Sequence, residues 1–395
     1  MSEFQGVDFF QLDELLSDEE RAVRDSVRDY VDRELIDTRL IEKHHRAGTF
    51  PMELPKQLGE LGYLGPSLPE EYGCAGLNNV AYGLIMQELE RGDSGLRSFA
   101  SVQGSLCMYP IYAFGSEEQK RKFLPGMAAG EIIGCFGLSE PDHGSDPGGM
   151  ETKAVRDGDG WVLNGTKRWI TNGSIAHLAI VWAKTAEGIR GFIVPTDAPG
   201  FTAPLIEGKF SLRASVTSEL IMEDVKVGAD ALLPGTTEGP NGLKYALMCL
   251  SQARYGIVWG VVGSAMAVFD EALRYTGSRT QFDKPLSGFQ LVQEKLVHMH
   301  TELTKAQLVS YHLGRLKDQG KAKHYHVSFG KRNNCWAARE VAKLGRELLG
   351  ANGVCDEYQV MRHLMNIESV YTYEGTHDIH TLALGQHLTG QAAFR

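Results

Sequence analysis

The spacing of hydrophobic residues changes twice along the chain. Up to residue 133, apolar side chains recur every three or four positions, which predicts helices. A Ser17–Glu20 capping box begins the first helix, and further helices are expected over 79–91 and from Ser116 to near Pro125. We interpret residues 1–133 as an amino-terminal helical domain.

Short apolar runs separated by turn residues fill the region 134–240. The strand-like runs are Trp161–Leu163, Ala179–Ala183, Gly191–Val194 and Leu220–Met222. The expected turns are Asp157–Gly160, Asn164–Gly165, Asn172–Gly173 and Pro199–Gly200. Turn signals about every 8–12 residues are typical of a compact β-barrel or sandwich. This region is therefore predicted to be a middle β-domain.

Long helical patterns return in the region 241–395. They cover Leu243–Tyr275, Gln290–Lys317 and Lys331–Leu349 and predict an antiparallel helical bundle. The most apolar stretch, Tyr255–Phe269, is shorter than the roughly 20 residues that span a bilayer, so we expect a buried helix and no membrane insertion. The predicted fold is mainly α with a middle β-domain.

Composition narrows the possible functions. Hydrophobic residues make up 43% of the 395, enough for a folded core, which excludes a disordered chain. The net charge of −10 excludes a globally basic nucleic-acid binder. The six cysteines form no CxxC pair and indicate buried thiols in a reducing compartment. Because the acidic amino terminus has no apolar signal-peptide core, we expect a soluble cytoplasmic protein.

Several familiar signatures of chemistry are missing from the sequence. It contains neither GxGxxG nor GxxxxGK[ST], and the segment Gly144–Gly148 is not GxSxG. The neighbouring histidine pairs do not form HExxH or a Cys/His cluster, so no metal site is predicted.

Two segments concentrate residues that could carry chemistry. Phe136–Asp146 gathers glycines, hydroxyls and a proline, and it is either an interdomain loop or a loop that approaches a polar ligand. Trp169–Thr171 could add a flat aromatic wall to such a site. In Tyr371–His380, Glu374 stands between an aromatic residue and Gly375. It is either a solvated glutamate or a carboxylate whose raised pKa suits it to act as a base.

These two segments together resemble the acyl-CoA dehydrogenase family, whose flavin loop reads roughly (Y/F)xL(T/S)EPxxGSD and is followed by a WIT-like strand. The resemblance extends over nearly the whole chain. Within the family, six segments are similar to the glutaryl-CoA dehydrogenases: Glu90–Ser98, Ser101–Gln103, Gly208–Ser215, Ala253–Gly256, Lys331–Cys335 and Thr372–His380.

The resemblance implies a fold, a cofactor and an assembly. The fold has an amino-terminal helical domain, a β-domain and a carboxy-terminal four-helix bundle, assembled as a homotetramer. The cofactor is non-covalent FAD, expected to contact Phe136, Leu138, Ser139, Trp169 and Thr171, with Thr376 nearby. The residues expected to reach a neighbouring subunit's FAD are Arg279, Phe282, Gln290 and the turn Glu347–Ala351.

The resemblance also implies chemistry for individual residues. Glu374, flanked by Gly375, is the expected base, and Arg97 with Ser98 is the expected anchor for a distal carboxylate. Glu90 and Tyr373 are expected to share a network with that anchor, and Ser145 and Arg254 to contact the CoA arm. The implied reaction converts glutaryl-CoA to crotonyl-CoA and CO2 and passes electrons to electron-transferring flavoprotein.

Other functions stay open from the sequence. A non-decarboxylating dehydrogenase of a substituted succinyl- or glutaryl-type thioester could carry the same Arg97. An oxidase-like or monooxygenase-like use of the fold is a further alternative. A non-enzymatic assembly role is disfavoured because Glu374 and the flavin-loop motif are both intact.

Overall fold

A computed structural model describes residues 6–239 and 241–394 of the chain. The first part is helical as predicted, and it also contains π-helical turns over Val31–Ile36 and Val102–Met108. Its helices are α1 (Asp18–Tyr30), α2 (Leu40–Ala47), α3 (Leu54–Glu60), α4 (Asn79–Gly92), α5 (Ser94–Ser101), α6 (Tyr109–Phe114) and α7 (Glu117–Ala128).

The predicted start of the first helix is confirmed. The Glu20 backbone N–H donates to Ser17 Oγ, and the Ser17 N–H donates to Glu20 Oε2, which completes a capping box. The predicted end of α7 near Pro125 is wrong, because the helix continues through the proline to Ala128. Leu124 and Met127 are both fully buried, so packing on either side of Pro125 holds this turn helical.

The middle part of the chain forms one seven-stranded, curled sheet. Its strands are β1 (Gly134–Gly137), β2 (Lys153–Asp157), β3 (Gly160–Thr171), β4 (Leu178–Thr185), β5 (Gly188–Pro195), β6 (Phe201–Thr202) and β7 (Thr217–Val227). The order is β1-β4-β2-β3-β7-β6, and β5 pairs with β4. Strand β1 runs parallel to β4, whereas the hairpin pairs β2–β3 and β4–β5 are antiparallel.

The expected turn at Asn164–Gly165 is wrong. These residues lie inside β3, where the pairing with β7 shifts register between Leu163 and Gly165. Gly165 has φ +146°, and a Cβ there would lie 2.5 Å from Thr152 Oγ1. The glycine therefore serves a β-bulge rather than a chain reversal.

The last part of the chain forms a helical bundle. It comprises α8 (Leu243–Ser278), the hairpin β8 (Thr280–Gln281) and β9 (Lys284–Pro285), α9 (Gln290–Asp318), α10 (His324–Leu348), α11 (Val360–Thr372) and α12 (His377–Thr389). Helices α8, α9, α10 and α11 pack on one another, and α4 crosses α8. The predicted third helix begins earlier than expected, at His324.

Helix α8 passes a length and hydropathy test for a membrane span, but 83% of its most apolar window is buried inside the protein. This matches the expected buried helix over Tyr255–Phe269. All six cysteines are free thiols, and five of them are buried. The cytoplasmic location stays a prediction.

Candidate active site

Glu374 lies in a four-residue link between α11 and α12. Tyr373 caps the end of α11, and Thr376 begins α12 by accepting the Ile379 N–H at its side-chain oxygen. Between them Glu374 has φ +53° and Gly375 has φ +90°. A left-handed glutamate costs roughly 1–2 kcal/mol, so the surrounding structure must hold this turn in place.

Two cationic side chains bind successive carbonyl groups of the turn. Arg254 Nε on α8 donates to the Glu374 carbonyl oxygen over 2.6 Å. Lys331 Nζ on α10 donates to the Gly375 carbonyl oxygen over 2.8 Å. The space behind Gly375 is filled, because a Cβ there would lie 2.9 Å from His380 Nε2 and 3.3 Å from Arg254 Nη2. Residue 375 is therefore restricted to glycine by its conformation and by its neighbours.

The Glu374 carboxylate is available for proton transfer. Its Oε2 is buried and has no hydrogen-bond partner among the residues that the structure describes. Burial raises the pKa of Glu374, while Arg97, Lys331 and Arg254 act in the opposite direction. A carboxylate whose pKa lies above its ordinary value is a stronger base once ionised, as proton abstraction from carbon requires.

Arg97 on α5 belongs to a buried network beside this turn. Its Nε donates to Glu90 Oε2 over 2.5 Å, and its Nη2 donates to the Tyr373 hydroxyl over 2.5 Å. Both charged side chains are fully buried. Within the described chain, Nη1 of Arg97 is also buried but has no acceptor. A guanidinium with one unused donor offers a position for an anionic ligand.

The surrounding packing leaves Arg97 little freedom to move. A Cβ on Gly260 of α8 would lie 2.2 Å from Glu90 Oε2 and 2.9 Å from Arg97 Nε, so the glycine makes room for the ion pair. Asp93 caps α5 through the Gly95 N–H and accepts hydrogen bonds from Arg362 and Asn366 of α11. These bonds hold the helix that carries Arg97 against the helix that ends beside Glu374.

Five of the predicted flavin residues lie where the end of β1 approaches β3. Phe136 and Leu138 are buried at the end of β1, and the Arg168 N–H donates to the Ser139 carbonyl oxygen over 2.9 Å. Trp169 lies at a register shift of β3, with φ +64° and 59% of its surface exposed, and Thr171 follows it on the same strand. The chain thus places an exposed aromatic side chain beside half-buried hydroxyl groups.

A buried ion pair supports this loop. Lys167 Nζ donates to Glu140 Oε1 over 2.8 Å and to the Leu138 carbonyl oxygen over 3.1 Å. Glu140 also accepts the backbone N–H groups of Glu151 and Thr152. These bonds and the Lys167 ammonium lower the pKa of Glu140 to about 2 despite its burial.

These residues fit a flat ligand with polar edges, such as the isoalloxazine ring of FAD. Thr376 begins α12 two residues after Glu374, and its expected place near the flavin stays a prediction. Arg279, Phe282 and Gln290 lie in or beside the exposed β8–β9 hairpin. Glu347 and Ala351 are exposed at the end of α10 and just after it. The expected contacts of these residues with a neighbouring subunit's FAD stay predictions. Phe282 is 88% exposed and has φ +50°.

The remaining predicted residues occupy different settings. Ser98 is buried one position after Arg97, whereas Ser145 is exposed in the loop after β1. Arg254 is half-buried, and its Nε is engaged by the turn that carries the base. The roles of these three residues in binding an acyl-CoA stay predictions.

Sequence reasoning gave no individual role to Lys331, Lys167, Glu140 or Gly260. The sequence does contain a signal that Lys331 is buried. It lies four residues after Val327 and three before Asn334, and both of these lie on the buried face of α10. A lysine on the buried face of an amphipathic helix needs an acceptor inside the protein. Gly260 had no such signal, because its role depends on helix α4 crossing α8.

Comparison with known proteins identifies the family to which this fold belongs. Three family models match the chain: the acyl-CoA dehydrogenase N-terminal domain over 17–131, the middle domain over 135–225 and the C-terminal domain over 240–389. The short-chain specific acyl-CoA dehydrogenase of Bos taurus mitochondria is 37% identical over 381 residues, which cover 94% of this chain and 90% of that protein.

Two solved structures of a glutaryl-CoA dehydrogenase from Mycobacterium smegmatis are also similar. One is 56% identical with a TM-score of 0.94, and covers 97% of this chain and 98% of that one. The other, a complex with FADH2, is 53% identical with a TM-score of 0.95 and covers 98% of both chains. The chain therefore belongs to the acyl-CoA dehydrogenase family of FAD-dependent oxidoreductases.

Proposed function

We propose that this acyl-CoA dehydrogenase oxidises and decarboxylates glutaryl-CoA to crotonyl-CoA and CO2. The observation that carries the proposal is that Nη1 of Arg97, beside the base, is buried without an acceptor among the residues that the structure describes. A thioester with an apolar acyl end would leave this donor unsatisfied, whereas a distal carboxylate would accept from it. The similarity to the glutaryl-CoA dehydrogenase of Mycobacterium smegmatis supports the same substrate class.

The proposed reaction begins with proton transfer to Glu374. Its carboxylate removes the α-proton of the thioester, and bound FAD supplies the acceptor for the β-hydride. The backbone N–H of Glu374 has no acceptor among the described residues, so it is free to donate to the thioester oxygen as negative charge develops there. The left-handed turn thereby positions both the carboxylate and the backbone N–H of Glu374.

Decarboxylation comes after oxidation and depends on the distal carboxylate that Arg97 binds. The C–C bond to the carboxylate carbon breaks, and its electron pair moves into the unsaturated thioester. Glu374, which now carries the proton, returns a proton to the resulting dienolate to give crotonyl-CoA. Arg97 must hold the carboxylate before cleavage and release neutral CO2 afterwards.

Product analysis tests this function. The FAD-loaded enzyme is incubated with carboxyl-labelled glutaryl-CoA and a dye acceptor, and the thioesters and released CO2 are quantified. We expect crotonyl-CoA and labelled CO2 in equal amounts. Accumulation of glutaconyl-CoA without CO2 would instead identify a non-decarboxylating dehydrogenase. Turnover of butyryl-CoA alone would remove the assigned role of Arg97.

We further propose a homotetramer that passes electrons to electron-transferring flavoprotein. The exposed Phe282, together with Leu291 at 80% exposure, gives the β8–β9 region an apolar surface suited to a second copy of the chain. Arg279 and Gln290 flank this surface and would reach the neighbour's FAD. Light scattering of the holoenzyme tests the assembly, and replacing the dye by electron-transferring flavoprotein tests the acceptor. A monomeric holoenzyme that is fully active would contradict the first assignment.

A further inference from the structure

Lys331 lies on α10 directly against the turn that carries the base. Its side chain is 1% exposed, and its ammonium group donates to the Gly375 carbonyl oxygen over 2.8 Å. Over residues 6–239 and 241–394 this is its one hydrogen-bond acceptor, and no carboxylate lies within ion-pair distance of it. Burying an ammonium group with so few hydrogen-bond and ion-pair partners is unfavourable for folding. The position of Lys331 therefore points to a role other than stabilising the fold.

The carbonyl that Lys331 contacts belongs to a strained segment. Glu374 and Gly375 both have positive φ, and for Glu374, which is not a glycine, this conformation persists only where the surroundings determine it from several sides. Arg254 holds the Glu374 carbonyl, and Thr376 caps the following helix. The Gly375 carbonyl follows that of Glu374 in the same turn, and Lys331 binds it.

We propose that Lys331 is a positioning residue for the base, because its hydrogen bond to the Gly375 carbonyl fixes the turn that aims the Glu374 carboxylate at the substrate. The proposal rests on the proposed function, in which Glu374 removes the α-proton. It adds a residue that acts on the base through the backbone of the turn.

Lys331 also contributes a positive charge to the site. The ionisable groups that interact with Glu374 come from five helices and the link itself: Tyr82 on α4, Arg97 on α5, Arg254 on α8, Lys331 and Cys335 on α10, His380 on α12, and Tyr373. Glu90 on α4 pairs with Arg97. Of these, Arg97, Lys331 and Arg254 lower the pKa of Glu374. Burial lowers the pKa of Lys331 to about 8 and that of His380 to about 2, so at neutral pH the lysine is charged and the histidine is not.

Two substitutions separate the hydrogen bond from the charge. Lys331→Met removes both, whereas Lys331→Gln removes the charge but keeps an N–H donor for the Gly375 carbonyl. Lys343→Met is the matched control, since Lys343 lies on the same helix, is about half exposed and pairs with Glu340. The FAD-loaded variants are assayed with butyryl-CoA and a dye acceptor across pH, so that neither Arg97 anchoring nor decarboxylation affects the rate.

We expect Lys331→Met to lower kcat per bound FAD by about 10²-fold with little change in KM, because a misplaced base loses reaction rate rather than affinity. Lys331→Gln should retain more of the rate. In both variants the acidic limb of kcat/KM should move to higher pH, because the lost cation lets the pKa of Glu374 rise. Lys343→Met should match the wild type in both respects.

The possible failures are distinguishable. If the wild type dehydrogenates no acyl-CoA thioester, the proposed function is wrong. If the wild type is active and both Lys331 variants keep its kcat per FAD and its pH profile, only the positioning role is overturned. A fall in melting temperature or FAD content with unchanged kcat per FAD would likewise reduce Lys331 to a structural residue.

Discussion

Replacing Arg97 by methionine removes the guanidinium but keeps most of the side-chain volume. The proposed substrate carboxylate then enters a buried site without its cation, and Glu90 loses the partner that lies 2.5 Å away. Leaving one charge of a buried pair uncompensated costs about 3–5 kcal/mol. At 1.4 kcal/mol per factor of ten, this predicts a fall of about 10²- to 10⁴-fold in kcat/KM for glutaryl-CoA.

Butyryl-CoA provides the internal comparison, because it has no distal carboxylate to lose its anchor. Its kcat/KM should fall far less, so the ratio of the two substrates isolates the anchoring role. The ratio must be measured well above the acidic limb, because Arg97 is the largest cationic influence that lowers the pKa of Glu374 and its loss raises that pKa. The double variant Arg97→Met/Glu90→Gln removes the unpaired glutamate and serves as the matched control.

The outcome of this comparison decides the assignment. If the double variant recovers butyryl-CoA oxidation but not glutaryl-CoA oxidation, Arg97 binds the substrate carboxylate. If both substrates lose the same factor in both variants, the Arg97–Glu90 pair is a structural element and the dicarboxylate reasoning is wrong.

Three further substitutions and one pH measurement test the site. Glu374→Gln should lower kcat by at least about 10²-fold while FAD absorbance is unchanged, and a variant that keeps wild-type kcat would exclude Glu374 as the base. In the wild type, kcat/KM should rise with pH with an apparent pKa above the ordinary carboxyl value of 4.5, because burial raises the pKa of Glu374 and only its ionised form accepts a proton. An apparent pKa below 4.5 would contradict the argument from burial. Gly260→Ala should destabilise the fold by about 1–3 kcal/mol and reduce the preference for glutaryl-CoA over butyryl-CoA, because its Cβ would collide with Glu90. Calorimetry measures the first effect and the ratio of kcat/KM values the second, and an unchanged ratio would show that Gly260 does not affect the anchoring role of Arg97. Lys167→Met should release FAD more readily, which would be measured as a rise in free-flavin fluorescence. The double variant Lys167→Met/Glu140→Gln should partly restore FAD binding, and no restoration would indicate that the ion pair does not support the flavin loop.

The sequence predicted the layers of this fold because each one has its own periodicity. Helical spacing located α1 and α4, a capping box marked the start of α1, and short apolar runs between turn residues located the sheet. The errors occurred where tertiary contacts outweigh a local signal. Asn164–Gly165 reads as a turn, but the sheet uses the glycine for a bulge against Thr152. Pro125 reads as a helix end, but buried neighbours on both sides carry the helix past it.

The site was predictable in part for a similar reason. Glu374 and Gly375 are adjacent in sequence, and the flavin-loop motif is one continuous segment, so resemblance to a family can identify each of them. The cations that surround Glu374 lie on three different helices, α5, α8 and α10. Nothing in the local sequence of Lys331 or Arg254 indicates that both contact the same turn, since that depends on how the bundle helices pack.

The geometry of the turn explains why this site uses so many buried charges. Burial alone would favour the protonated form of Glu374, and a protonated carboxyl cannot accept the α-proton. Cations alone would stabilise the ionised form until it became a weak base. The structure combines the two, because Oε2 of Glu374 is buried without a hydrogen-bond partner in the part of the chain that the structure describes. Arg254 and Lys331 bind the backbone of the turn instead. Their positive charge thus favours the ionised form of the base without occupying the oxygen that must accept the proton.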